Sequence, residues 1–147
     1  MLACVSVPAR RVFLSHTSEL RMLGEDHPDT LTSANNLAFD LRALGEHERA
    51  RQLHEDTLIH CGRVLGEHHP ETLRSAANLA FDLRELGEHE RAHQLQEDTL
   101  TRRRRVLGED HPDTLVSASN LARDLRALGE YERARQLEEH VRSRRRS

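Results

Sequence analysis

Histidine, proline and carboxylate fall in one triplet three times in this chain, at His27-Pro28-Asp29, His69-Pro70-Glu71 and His111-Pro112-Asp113. Imidazole beside carboxylate is the material of proton transfer and of metal binding. The spacing argues against both uses. The triplets recur at a step of 42 residues, whereas a catalytic centre is normally built once. A metal ion needs donors converging within about 2 Å of it, and equivalent positions in successive repeats sit several times farther apart. Nor does the chain hold a glycine-rich phosphate loop after a strand, a Gly-x-Ser-x-Gly elbow, or a paired spacing of Cys4 with Cys61. The expectation is therefore no catalytic residue, no metal and no cofactor, with the linker histidines as surface or capping groups.

The cationic groups come next. All are arginine, and they cluster only at Arg102–Arg105 and Arg142–Arg146, in a chain of net charge −3. Four successive arginines on a helix point in different directions around it. Glu97, Asp98, Glu109 and Asp110 flank them, and no aromatic side chain lies near to stack a base. These clusters are expected on solvated helix surface, and nucleic acid is not an expected partner.

The positioning elements are written by the period. Leu23–Val64 and Leu65–Val106 are identical at 31 of 42 positions, and the third copy starts at Leu107. A fixed period of this length marks a stacked repeat architecture. Pro28 fits the first position of a helix, with Asp29 and Thr30 supplying an anion and a hydroxyl at its positive end. Leu31, Ala34, Leu37, Ala38, Leu41 and Leu44 then recur at three- and four-residue steps, which predicts one apolar stripe ended by Gly45. A second helix follows, with Ala50, Leu53, Thr57 and Leu58 facing inward and Glu46/Arg49 as an exposed ion pair. The copies repeat this through Gly87 and Gly129. Aromatics make up only 3% of the chain, so a Leu/Ala core suits helix-on-helix packing.

The organisation expected is a non-repeat segment over 1–16, an array over 17–142 and an arginine-rich tail over 143–147. Within the array, 17–23 forms the tail of a preceding helix, and the repeats cover 23–64, 65–106 and 107–142. Two unpaired cysteines fit a reducing, cytoplasmic setting, and no stretch approaches the roughly 18 apolar residues of a membrane span. Leu2-Ala3-Cys4 lacks a signal sequence ahead of it and is not read as a lipoprotein site. Arg11–Leu20 resembles the opening strand and loop of TIR-like domains over about ten residues. The chain then passes straight into repeat register, leaving no room for the sheet and catalytic Glu that a TIR NADase requires.

The repeats resemble tetratricopeptide repeats (TPR) of the kinesin-light-chain type, as found in actinobacterial proteins associated with TPR, NB-ARC and TIR domains. The resemblance rests on the linker Gly-Glu-Asp-His-Pro-Asp-Thr-Leu, on Asn36-Leu37-Ala38, Asn78-Leu79-Ala80 and Asn120-Leu121-Ala122, and on Gly45…His47…Ala50, Gly87…His89…Ala92 and Gly129…Tyr131…Ala134. His47 and His89 depart from the family's Tyr. It implies an all-α, right-handed superhelical α-solenoid of three helix-turn-helix repeats, non-catalytic, with a concave groove that takes a peptide segment or a partner domain.

On that resemblance the groove residues are Asn36, Phe39, Arg42, Arg74, Asn78, Phe81, Arg84, Asn120, Arg123 and Arg126. A primary amide donates to C=O and accepts from N–H, so an Asn row can hold an extended backbone. Phe39 and Phe81 would anchor apolar side chains, and the arginines would pair with carboxylates. The competing reading leaves the Asn amides satisfying neighbouring helix ends and the phenylalanines filling the seam between repeats. A further alternative is a self-associating or spacer module left over from a larger TIR/NB-ARC-TPR signalling protein, with homo-oligomers forming through exposed Leu/Ala repeat ends.

Overall fold

The computed structural model describes residues 27–147, so the expected 1–16 segment, the 17–23 helical tail and the TIR-like stretch lie outside the described residues. Six helices follow one another: α1 (Pro28–Ala43), α2 (His47–Val64), α3 (Pro70–Glu85), α4 (His89–Leu107), α5 (Pro112–Ala127) and α6 (Tyr131–Arg145). Each packs on the next in the chain, and α1 also touches α3. This is an α-solenoid of helix pairs. Among the described residues no helix is long and apolar enough to cross a membrane.

The linker histidine turns out to be the helix N-cap. His27, His69 and His111 are extended, and each Nδ1 accepts a hydrogen bond from the backbone N–H two residues on, at 3.1 Å in all three. The Pro between them needs no N–H, and the acid at the next position faces the positive helix end. The capping role expected for these histidines is thus taken up by the imidazole itself, ahead of Asp29 and Thr30. In the second linker, Thr72 Oγ1 also donates to the Gly66 carbonyl at 2.7 Å.

Gly45, at φ +81°, allows the reversal between α1 and α2. The Gly45 N–H donates to the Arg42 carbonyl and the Glu46 N–H to the Leu41 carbonyl, both at 2.9 Å. Gly87 and Gly129 repeat this. The second helices lack a side-chain cap, and Arg49, Arg91 and Arg133 instead bond Glu46, Glu88 and Glu130 within the first turn.

The stripe read from the sequence is the core. Ala34, Ala38 and Leu41 pack with Ala50 and Leu53 in the first pair. Leu79, Leu83 and Ala92 form the second layer, against half-buried Leu58 and Leu95. Leu115, Ala118, Leu121, Ala122 and Leu125 close the third with Leu100, Ala134 and Val141. Most of α6's remaining surface is polar and exposed, and the helix runs to Arg145, so the arginine-rich tail is largely its last turn.

Candidate binding face and the seams beneath it

The first helices carry two polar rows, only one of which is open. Asp82 and Asp124 are completely buried, although they sit in the middle of amphipathic helices. Asp82 Oδ2 accepts from His54 Nδ1 at 2.5 Å, and Arg42 of the preceding repeat lies 3.7 Å from Oδ1. Asp124 accepts from Arg84 Nη1 at 3.1 Å. Gln96 is buried at the position equivalent to His54, with no partner for its amide among the described residues. Burial pushes the Asp124 carboxyl up from the ordinary Asp range, and the Arg84 hydrogen bond pulls it only part of the way back.

The arginines of the expected groove are therefore largely spoken for. Arg42 lies over the ring of Phe39 at 4.8 Å and over that of Phe81 at 4.2 Å, and Arg84 lies over Phe81 at 4.8 Å. Phe39, Arg42, Phe81 and Arg84 thus form an alternating cation–π ladder across the first two repeats. Arg84 is buried, and Arg42 is half-buried. Arg126 is exposed and bidentate to Glu138, at 2.8 and 2.7 Å. The Arg126 guanidinium holds the Glu138 carboxyl below the usual carboxylate range.

The Asn row stays at the surface. Asn36 is exposed, and Asn78 and Asn120 are half-buried. Arg74 Nη2 donates to Asn36 Oδ1 at 3.2 Å, while its guanidinium lies 3.3 Å from Glu71. Phe39 is 54% exposed, Phe81 is half-buried, and Arg123 replaces the aromatic in the third repeat at an exposed position. The face is thus apolar at its first-repeat end and cationic at its third.

Several interactions had no clear sequence signal. Asn35, next to Asn36, is buried, and its amide donates to Glu71 Oε1 at 2.7 Å and to Ser75 Oγ at 2.8 Å, clamping α1 to α3. Cys61 is buried with its Sγ 3.7 Å from Ser75 Oγ, and burial pushes its thiol up. Arg103 holds the equivalent place one repeat later. Its Nη1 donates to Ser117 Oγ at 2.7 Å and to the Asp113 carbonyl at 3.2 Å. This corrects the expectation of a fully solvated Arg102–Arg105 run: Arg103 is buried, and burial lowers its pKa. Arg102 bridges Glu67 and Asp98, and Arg105 is exposed. The one available signal for the buried carboxylates was Asp40, Asp82 and Asp124 recurring beside the Leu/Ala stripe without change.

The tetratricopeptide repeat family model matches residues 29–105 and 95–147. The chain belongs to the tetratricopeptide repeat family. Its structural neighbours are of the kinesin-light-chain type. A kinesin-light-chain-type protein of Podosopora anserina with nearly identical TPR-like repeats superposes with TM-score 0.75 at 28% identity, over 93% of this chain and 64% of that one. A single-substitution variant of that protein gives 0.78 at 29% identity, over 95% and 66%. BtubC (BKLC) from P. vanneervenii shares the fold, with TM-score 0.75 at 23% identity over 82% and 48%. The chain therefore spans about two thirds or less of the length of these structures. No curated protein matches its sequence. Repeats of this family mediate protein–protein interaction.

Proposed function

We propose that the face shared by α1, α3 and α5 binds an extended peptide segment or a partner domain. The observation that carries this reading is the division of labour along these helices. Arg42, Arg84, Asp82 and Asp124 are used inside the seams, whereas Asn36, Asn78 and Asn120 remain at the surface beside Phe39 and Arg123. Amides in a row offer donors and acceptors at successive repeats, which suits the alternating N–H and C=O of an extended backbone. Phe39 and Phe81 supply apolar contact, and Arg74 and Arg123 are the cations best placed for a ligand carboxylate. Arg42 and Arg84 stiffen the floor by holding Phe81, and Arg126 contributes once Glu138 is displaced.

Capture of peptides from a random library by the full chain, followed by titration of one captured peptide, tests the reading. Asn78→Ala and Asn120→Ala are each expected to weaken binding about five- to tenfold, the worth of one or two hydrogen bonds, with the melting temperature unchanged. A peptide indifferent to both substitutions sinks the assignment.

A further inference from the structure

The first and last of the described helix pairs carry the two halves of one seam. Inside the molecule, Arg42 meets Phe81 and Asp82 of the next repeat, and Arg84 meets Asp124. At the C-terminal end, the equivalent Arg126 is exposed. At the other end, Phe39 is 54% exposed and Asp40 is exposed, although Asp82 and Asp124 are fully buried. A second row of ion pairs crosses the seams at the surface. Glu55 meets Arg91 at 3.2 Å and Glu97 meets Arg133 at 3.4 Å, and Glu139 and Arg49 hold the corresponding exposed positions in the last and first described helix pairs. The vacant seat beside α6 is a shallow notch of about 350 Å³ lined by Ser119, Glu138, Val141, Arg142, Arg145 and Arg146.

One residue breaks the match. The residue that meets the next repeat's buried Asp in the first seam is His54, and its equivalent in the second is Gln96, buried and uncharged with no partner for its amide among the described residues. In the third it is Glu138, which binds Arg126 through both oxygens. Glu138 thus occupies the guanidinium that an incoming Asp would need, and it would face that Asp with a like charge.

We propose that α5 and α6 form a seat for α1 of a second copy of this chain, and that Glu138 holds the seat closed. In the stacked arrangement Arg126 reaches Asp40 and lies over Phe39 of the second copy, and Glu139 pairs with its Arg49. These contacts are polar, unlike the Leu/Ala surfaces that the sequence suggested for end-to-end association. The commitment to a second copy follows from the internal seam, which already shows this chain's own residues making the contact.

The experiment is light scattering and sedimentation of the full chain against concentration, with circular dichroism melts confirming the fold of each variant. Glu138→His, which restores the residue of the first seam, is expected to lower the concentration of half-association at least tenfold relative to wild type. Glu138→Gln should move it in the same direction. Adding Phe39→Ala and Asp40→Asn to the Glu138→His chain should return it to the wild-type profile. A Glu138→His chain that stays at monomer mass overturns the proposal, as does association that ignores Phe39 and Asp40. Wild-type chain that already associates as tightly as Glu138→His overturns the role given to Glu138.

Discussion

Arg84 of the second repeat donates to Asp124 of the third at 3.1 Å, inside a seam where the carboxylate has no exposure to solvent. Burial raises the Asp124 carboxyl more than the arginine lowers it, so the folded chain holds a proton there more readily than the unfolded chain does. Stability from this group is then greatest below the free value of 3.8 and is lost as pH rises through the raised folded value. Melting temperatures of wild type and Asp124→Asn across this range should show wild type losing ground to the variant as pH rises. A difference that grows in favour of wild type on raising the pH refutes the direction.

The histidine caps predict a simple substitution pattern. His69→Ala removes the acceptor for the Glu71 N–H and should cost about 1 kcal/mol. His69→Asn supplies another short acceptor and should retain most of that stability. Urea unfolding of the two variants measures the contrast, and equal losses would show that Nδ1 is not the capping group.

Within the arginine run, Arg103 and Arg105 should behave oppositely. Arg103→Ala empties a buried place and strips Ser117 Oγ of its 2.7 Å partner, for an expected loss of about 1–3 kcal/mol. Arg105→Ala, at an exposed position, should stay within about 0.5 kcal/mol of wild type. Chemical denaturation distinguishes the two, and similar values for both would mean that Arg103 is solvated after all.

Asn35 and Asn36 are neighbours in sequence with separate duties. Asn35→Ala leaves Ser75 and Glu71 without the amide that joins α1 to α3 and should cost about 1–3 kcal/mol, with no loss at the peptide face beyond that of stability. Asn36→Ala should leave the melting temperature nearly unchanged and weaken peptide capture. A reversed pattern would exchange the roles of these two side chains.

The helices were legible because three nearly identical copies show which spacings matter. Leu31, Ala34, Ala38 and Leu41 recur with the period of a helix, and Gly45 and Pro28 mark its ends. The seams were less legible. Helical periodicity places Asp82 near the stripe but does not tell that His54, on another helix, lies within hydrogen-bonding reach of it. The run Arg102–Arg105 was known to point in several directions around its helix, but the sequence did not tell which of the four met Ser117 and the Asp113 carbonyl of the next helix. The row of Asn36, Asn78 and Asn120 could be placed on a common face, but a wheel drawn for one helix cannot show that Asn35 is covered by Ser75 of the next repeat. The arginine row at 42, 84 and 126 was visible as a row. Its partners were not, since each comes from a different element.

The His, Gln and Glu found at positions 54, 96 and 138 also give the modules a reading order. A gene rearrangement that copied the first or second unit would bring His54 or Gln96, neither of them a carboxylate, to the place next to each new internal Asp. Copying the third into the interior would set Glu138 against a buried carboxylate. On the proposed role of Glu138, the units differ in charge at a single position, and that position sets which of them can stand in front of another.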